Sequence, residues 1–335
     1  MKKWEGYQHG VNLGGWLSQC DHTKERYEGF ITEEDIRKIG SWGLDHVRVP
    51  VDYEATGEEG LAYIDRAVDW CGRNGLNMIL DLHKTYGFSF DDGEGEKGLF
   101  ESEELQERFY DIWERLAKRY GSVGDRLAFE LLNEVTDREY SDKWNEVSKQ
   151  CMERIRSIAP TVRILIGGYY NNSIEALPDL LPPYDENVIY NFHCYEPLIF
   201  THQGAFWAPG MDPSFRISVD EPYGVMEECS ARYLTQVTVG FGDFDKEDKL
   251  GPEYFGRLFS EAVRCAEERG TSLYCGEYGV INLATAEDTL KWYRCIGETF
   301  EKYGIGRAAW SYKEMDFGLA DDHMRPVFSE IVRYL

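Results

Sequence analysis

The stretch Phe129-Glu130-Leu131-Leu132-Asn133-Glu134 is an apolar run of strand length that ends abruptly in an amide and a carboxylate. A second run of this kind, Ser272-Leu273-Tyr274-Cys275-Gly276, leads directly into Glu277. In a parallel sheet the carboxyl ends of the strands meet at one edge, and ligands bind there. We therefore expect Asn133, Glu134 and Glu277 to face one common site.

Short apolar runs alternate with amphipathic segments from Gly10 onward, which is typical of repeated βα units with a parallel sheet. The runs are hydrophobic on both faces, as strands buried between a core and covering helices are. The chain length suits one large barrel domain. The sequence therefore predicts a single TIM (β/α)8 barrel over residues 1–335. The predicted strands are Val11–Leu13, His46–Val49, Met78–Leu82, Ala128–Leu132, Arg163–Ile166, Val188–Phe192, Leu273–Cys275 and Ala308–Trp310.

The regular alternation is interrupted once, between Tyr195 and about Pro252, after the sixth predicted strand. This segment is too long for an ordinary βα loop, and it is too rich in apolar and aromatic residues for a linker. We therefore predict a small inserted subdomain over about residues 196–252 that forms one wall of the site. Trp207 is its best candidate for stacking on a ligand, and His202 lies within reach as well.

The composition excludes several classes of partner. The 335-residue chain contains 36 Lys and Arg against 61 Asp and Glu, which gives a net charge of −25. Nucleic acids and anionic membranes bind basic surfaces, so we expect neither as a partner. No apolar run is long enough for a signal peptide or for a membrane span of about 20 residues. We expect a cytoplasmic protein, or a secreted one if a leader has been removed.

The eight cysteines are scattered along the chain without a CxxC pair, which favours reduced thiols over disulfides or a zinc site. The chain also contains no HExxH or EF-hand spacing. We therefore expect no metal and no cofactor. We expect the chain to act as a monomer.

Polar and aromatic side chains stand at the ends of other predicted strands as well. Arg48 closes the second strand and His83 closes the third. His193 and Tyr195 close the sixth strand, and Trp310 closes the eighth. A lone histidine or arginine at such a place is more often structural, but six strands that all end in this way are difficult to assign to chance. Two strand-end carboxylates in such surroundings fit glycoside hydrolysis, in which one acts as acid/base and the other as nucleophile.

The chain resembles family 5 of the glycoside hydrolases from Gly10-Val11-Asn12-Leu13-Gly14-Gly15-Trp16 to Trp310-Ser311-Tyr312-Lys313, which is almost its whole length. Within the family it is most similar to the small endo-β-glucanases of the cellulase C type. The motifs that carry this similarity are Phe192-His193, Phe200-Thr201-His202-Gln203, Tyr274-Cys275-Gly276-Glu277 and Met315-Asp316-Phe317. The positions that define the family's site have counterparts in Arg48, His83, Asn133, Glu134, His193, Tyr195, Glu277 and Trp310.

The resemblance implies a retaining, endo-acting hydrolase of β-1,4 linkages in cellulose-type glucan, mixed-linkage glucan or glucomannan. Glu277 would be the nucleophile that forms a covalent glycosyl-enzyme, and Glu134 would be the acid/base. Arg48 and Tyr195 would hold Glu277 ionised by charge and hydrogen bonding. Asn133 would bind the sugar 2-hydroxyl.

The remaining family positions would orient and support the sugar. His83 and His193 would orient hydroxyls and neighbouring carboxyls, and Trp310 would form the floor beneath the ring. The sequence departs from its relatives at Lys84-Thr85-Tyr86-Gly87, which bears on substrate choice. Glu314 is a further candidate for a contact with a sugar hydroxyl.

Other functions remain open from the sequence. A β-mannanase or an exo-β-1,3-glucosidase could use the same barrel, since barrels support many chemistries. A carbohydrate-binding protein without activity is an alternative of another class. The presence of both Glu134 and Glu277 argues against it, because binding alone needs no pair of carboxylates.

Overall fold

The computed structural model describes residues 1–234, 241–242 and 244–335. Its strands are parallel and form a closed barrel in chain order, with the first strand paired to the last. The predicted TIM barrel is confirmed, and each predicted strand is present with boundaries that differ by a few residues. The strands are β1 (His9–Asn12), β2 (His46–Asp52), β3 (Asn77–Lys84), β4 (Leu127–Glu130), β5 (Arg163–Ile166), β6 (Val188–His193), β7 (Leu273–Glu277) and β8 (Gly306–Ala309).

Helices alternate with these strands and bury their apolar sides. In the third helix Ile64, Ala67 and Cys71 are buried together, because residues three and four apart share one face of a helix. Within the described ranges no helix combines the length and the apolar character that crossing a membrane requires. The helices are α1 (Lys24–Gly29), α2 (Glu33–Ser41), α3 (Glu58–Arg73), α4 (Glu103–Tyr120), α5 (Ser141–Ile158), α6 (Tyr169–Asn172), α7 (Leu198–Thr201), α8 (Tyr223–Tyr233), α9 (Pro252–Leu258), α10 (Ser260–Arg269), α11 (Ala286–Tyr303) and α12 (Phe328–Ile331).

The predicted end of the second strand is wrong, because β2 runs past Arg48 and Pro50 to Asp52. Proline is compatible with extended backbone, and its missing N–H removes only one hydrogen bond from the sheet. Pro50 accordingly stays in register with Asp81 on β3. Arg48 therefore lies inside the barrel wall and not at the end of its strand.

The predicted end of the fourth strand is also wrong, because β4 stops at Glu130. Beyond it the N–H of Leu131 donates to Leu165 on β5, whereas the N–H of Asn133 donates to Leu82 on β3. In a regular strand such alternate residues donate to the same neighbour, so the backbone rotates between these two residues. The segment that carries the first predicted carboxylate is thus an irregular extension of β4.

The segment before β1 closes the amino end of the barrel. Trp4 and Tyr7 are buried there and stack with ring centroids 4.0 Å apart. Beside them the His46 ring lies between the Asp45 carboxylate and the Tyr274 hydroxyl, each 2.6 Å from a ring nitrogen. Because this end is filled by side chains, a ligand can approach only the carboxyl ends of the strands.

The helices α7 to α10 lie between β6 and β7, where the sequence predicted an insertion. The main apolar core continues into this segment through Phe200, Tyr223 and Phe255. Residues 235–240 and 243 of the predicted subdomain, about 196–252, lie outside the described residues. Its boundaries and its role as a separate unit stay a prediction.

We expect the Tyr274→Phe variant to lose about 1–3 kcal/mol of unfolding free energy, because it leaves the buried His46 Nε2 without its partner. Urea denaturation followed by circular dichroism measures this loss. Tyr7→Phe is the matched control, since the Tyr7 hydroxyl donates to the carbonyl of Asp125 in a partly buried contact that water can replace. Equal losses in the two variants would contradict a particular role for the His46–Tyr274 hydrogen bond at the amino end of the barrel.

Candidate active site

Glu277 is the last residue of β7, and its carboxylate lies among cationic and hydroxyl groups. One oxygen accepts a hydrogen bond from Arg48 Nη1 at 2.7 Å, and the other accepts one from the Tyr195 hydroxyl at 2.9 Å. Burial alone would raise the pKa of Glu277. The positive charges of His193, Arg48 and His83 outweigh burial and lower this pKa to about 2. Glu277 is therefore ionised near neutral pH, as a carboxylate nucleophile must be.

Glu134 lies beyond the end of β4 with a φ of 31°, a backbone conformation that residues other than glycine rarely adopt. Its Oε1 lies 2.7 Å from His193 Nδ1, and its Oε2 accepts a hydrogen bond from Asn171 Nδ2 at 3.0 Å. Burial alone would lower the pKa of His193, but the carboxylates of Glu277 and Glu134 raise it above its usual value. His193 therefore donates a hydrogen bond from Nδ1 to the Glu134 carboxylate.

The two glutamates come close to each other. One oxygen of Glu134, one oxygen of Glu277 and a ring nitrogen of His193 all lie within 4.8 Å of one another. Retaining glycosidases hold their carboxyl groups about 5–5.5 Å apart, whereas inverting enzymes separate them by about 6.5–9.5 Å to admit a water molecule. The separation here agrees with the retaining arrangement.

Arg48 is a fully buried cation, and each of its five N–H groups has an acceptor. Its Nε and Nη2 bind the Glu130 carboxylate at 2.7 and 2.8 Å, in the paired geometry that makes such ion pairs strong. The other N–H groups reach Glu277, Asn12 and Asn133 at 2.7 to 2.9 Å. With Asp81 of β3 also 3.0 Å from Nη2, one guanidinium thereby connects β1, β2, β3, β4 and β7.

The sequence interpretation missed a layer of buried polar residues beneath the two glutamates. Glu130 and Asp81 lie inside β4 and β3, in runs that we took as hydrophobic on both faces. Both are completely buried and lie within 3.0 Å of Arg48. Asn191 Nδ2 donates a further hydrogen bond to Glu130 at 2.8 Å. The alternation in Leu80-Asp81-Leu82 was the available signal, because it is typical of a strand with one polar face.

His83 and Trp310 lie together near the ends of β3 and β8. Their rings are almost parallel, with an interplanar angle of 8° and centroids 5.8 Å apart. His83 Nδ1 lies 2.7 Å from Asp81 Oδ2. Burial alone would lower the pKa of His83, but the Asp81 charge raises it. Both rings therefore lie at the carboxyl-terminal end of the barrel, and their contacts with a sugar ring stay a prediction.

Asn133 presents an unused hydrogen-bond donor. Its Oδ1 accepts a hydrogen bond from Arg48 Nη2 at 2.9 Å, which fixes the orientation of the amide. Its Nδ2 is buried, and within the part of the chain that the structure describes it has no hydrogen-bond partner. A buried donor without a partner costs about 1–3 kcal/mol. The position therefore favours the predicted contact with a sugar hydroxyl.

Trp207 belongs to the insertion, and 42% of its surface is exposed. Its ring lies 6.4 Å from those of His202 and Phe317. Phe317 shares an apolar cluster with Trp310, so Trp207 lies at the edge of the site. Burial lowers the pKa of His202 to about 4, and this neutral ring packs against Tyr195 with centroids 5.1 Å apart. An aromatic wall therefore extends from the glutamates to Trp207.

The structure does not bring Glu314 into contact with the other predicted site residues. Its exposed carboxylate lies 3.8 Å from Arg26 Nη1, and its backbone N–H donates to the Asp321 carboxylate. The contact between Glu314 and a substrate hydroxyl stays a prediction that its position does not support.

A second group of ligand-type side chains comprises His22 after β1, Asp52 at the end of β2 and Glu54 directly after β2. The Lys84 ammonium lies 2.9 Å from Glu54 and 3.7 Å from Asp52. This cation already supplies the positive charge that a metal ion would bring. We assign the group a structural role in the loops around the site.

A closed parallel barrel that holds two carboxylates at this separation beside aromatic rings defines a glycoside hydrolase of the barrel class. The family model of the cellulases, glycosyl hydrolase family 5, matches residues 5–316. The chain belongs to glycosyl hydrolase family 5, and the resemblance drawn from its motifs is confirmed.

Two relatives are similar to the chain over most of its length. Cellodextrinase A of Ruminococcus flavefaciens is 47% identical over 314 residues, which cover 92% of this chain and 86% of that protein. Endoglucanase C of Acetivibrio thermocellus is 38% identical over 339 residues, which cover 98% of each chain.

Solved structures with low sequence identity share the fold. Thermotoga maritima Cel5A in complex with mannotriose superposes with a TM-score of 0.76 at 23% identity, covering 99% of this chain and 100% of that one. The Clostridioides difficile cellulose synthase subunit Z superposes with a TM-score of 0.75 at 24% identity, covering 97% and 99% of the two chains. These similarities support the barrel architecture.

We expect Trp207→Ala to weaken transition-state binding of long substrates by about 1–3 kcal/mol, a scale taken from the stacking of bases on aromatic side chains. Hydrolysis of a short aryl glycoside should change little. Values of kcat/KM for cellohexaose and for an aryl cellobioside measure the difference. Tyr184→Ala is the matched control, since Tyr184 is 44% exposed and precedes β6, at the other end of the barrel.

A core role for Trp207 would produce a different result. The melting temperature of Trp207→Ala would fall, and both substrates would be affected together. That outcome would contradict the prediction that Trp207 stacks on the substrate.

Proposed function

We propose that the protein is a retaining, endo-acting glycoside hydrolase that cleaves β-1,4 linkages in β-glucans. The observation that carries the mechanism is the approach of a Glu134 oxygen to a Glu277 oxygen within 4.8 Å. This distance suits two carboxyl groups that act on one anomeric carbon and its leaving oxygen in turn.

In the first displacement an oxygen of Glu277 forms a bond to the anomeric carbon, while the bond from that carbon to the glycosidic oxygen breaks. Glu134 gives its proton to the departing oxygen. In the second displacement a water molecule transfers a proton to Glu134. The oxygen of this water forms a bond to the anomeric carbon, and Glu277 departs as a carboxylate. Each displacement inverts the configuration, so the product keeps the configuration of the substrate.

The surroundings of the two glutamates support these different roles. Arg48 and Tyr195 contact Glu277 and favour its ionised form, which suits a nucleophile and later a leaving group. Glu134 contacts the neutral amide of Asn171 and the imidazole of His193, which also lies 3.7 Å from Glu277. In the proposed mechanism Glu134 acts first as a proton donor and then as a proton acceptor.

The choice of substrate rests on the relatives. The names of cellodextrinase A and endoglucanase C assign those two proteins to β-glucan chains, and both resemble this chain over most of its length. Product analysis with cellohexaose, mixed-linkage β-glucan, glucomannan and mannan tests the assignment. Products from mannan alone would replace it with a mannanase, and products from none of the four would contradict a hydrolase of this kind.

We expect Glu277→Ala to abolish turnover, because the variant lacks the carboxylate that forms the covalent intermediate. Glu134→Ala should lower turnover of unactivated substrates by about 10²–10⁴-fold, the scale of general acid/base catalysis. Added azide should restore activity of this second variant on aryl glycosides with good leaving groups, since azide needs no general base.

Glu186→Ala is the matched control, since Glu186 is exposed and precedes β6, away from the mouth of the barrel. Failure of azide to rescue Glu134→Ala would count against its role as the acid/base.

A further inference from the structure

The segment labelled α6, which follows β5, is a left-handed turn in which Tyr170, Asn171 and Asn172 have φ values of 49°, 58° and 56°. Residues with a Cβ adopt this conformation at a cost, and a run of three is rare. The N–H groups of Tyr170 and Asn171 donate to the carbonyls of Val135-Thr136 at 3.0 Å each. The turn is therefore hydrogen-bonded to the backbone of the two residues that follow Glu134. Strain of this kind persists where the surrounding structure enforces it, and it is concentrated at active sites.

This strained turn contacts the acid/base through one side chain. Asn171 Nδ2 donates to Glu134 Oε2 at 3.0 Å, while Oε1 of the same carboxylate pairs with His193 at 2.7 Å. The next residue, Asn172, places its amide 3.4 Å from His193 Nε2. Both oxygens of Glu134 are thereby held, and one of the two contacts depends on the left-handed turn.

We propose that Asn171 is a positioning residue for the acid/base, and that its amide N–H stabilises the negative charge that develops on Glu134 as the proton passes to the leaving oxygen. The inference rests on the proposed function. A hydrogen bond donated to a carboxylate stabilises its negative charge, so the contact favours the transition state in which that charge develops. Asn171 acts through Glu134, and the inference assigns it no bond to the substrate.

The chemistry of asparagine suits this position. Asparagine tolerates the left-handed region better than most residues, and its short amide presents a donor at a fixed place. Glycine at residue 171 would keep the backbone and remove the donor. Aspartate would keep the shape but place a like charge beside Glu134, which disfavours the ionised form. The two substitutions therefore separate the effect of the backbone conformation from the effect of the amide side chain.

The test compares kcat/KM of the full chain on phenyl β-cellobioside and on 2,4-dinitrophenyl β-cellobioside. Phenoxide is a poor leaving group that needs the proton of Glu134, whereas dinitrophenolate departs without it. We expect Asn171→Gly to lower kcat/KM for the phenyl substrate roughly tenfold or more, the scale of a hydrogen bond to a charged group. The dinitrophenyl substrate should be little affected.

The pH profile gives a second readout. Both Asn171→Gly and Asn171→Asp should move the basic limb of kcat/KM for the phenyl substrate to higher pH, with the larger movement in Asn171→Asp. Tyr170→Gly is the matched control, because Tyr170 shares the turn and the left-handed conformation, is 48% exposed, and packs its ring against Tyr169. This control should keep the selectivity and the profile of the unmodified protein.

The same selective loss in Tyr170→Gly, or an equal loss on both substrates in Asn171→Gly, would overturn the role of Asn171 and leave the proposed function standing. Absence of turnover by the unmodified protein on both cellobiosides would instead contradict the proposed function, and this inference with it.

Discussion

The buried guanidinium of Arg48 is the charge on which the arrangement of the site depends. It is completely enclosed, and the carboxylates of Glu130, Asp81 and Glu277 lie within 3.0 Å of it. Removing one partner from a buried ion pair costs about 3–5 kcal/mol, because the remaining charge has neither water nor a counterion. The guanidinium that contacts the nucleophile therefore also links five strands of the barrel.

The acid/base is held by different means. Glu277 is the last residue of β7 and lies beside a permanent cation, and its carboxylate keeps its charge. Glu134 stands on irregular backbone with a positive φ, between a histidine and an amide that belongs to a strained turn. Two carboxylic acids of similar intrinsic strength can perform two roles when their environments differ in this way. The strands of the barrel therefore hold Glu277, which must stay ionised, and the loops hold Glu134, which must exchange a proton.

The barrel could be predicted from the sequence because its strands are short, apolar and separated by helical segments of regular spacing. Glu277 and His193 could be placed because each is the last residue of its strand. The pairing of Arg48 with Glu130 could not be found in this way. Glu130 is 82 residues from Arg48 in the chain, and pairing at that distance leaves no local pattern. Asn171 escaped notice for a related reason, since its left-handed turn contains no glycine to mark it.

In the proposed mechanism Glu277 and Glu134 act in two successive displacements at one anomeric carbon. The most direct test is proton NMR of the anomeric signals during the first minutes of cellohexaose hydrolysis, before the new reducing ends mutarotate. The account predicts that the β-anomer appears first and that the α-anomer grows later at the rate of mutarotation. Initial formation of the α-anomer would show a single displacement by water and would contradict the account.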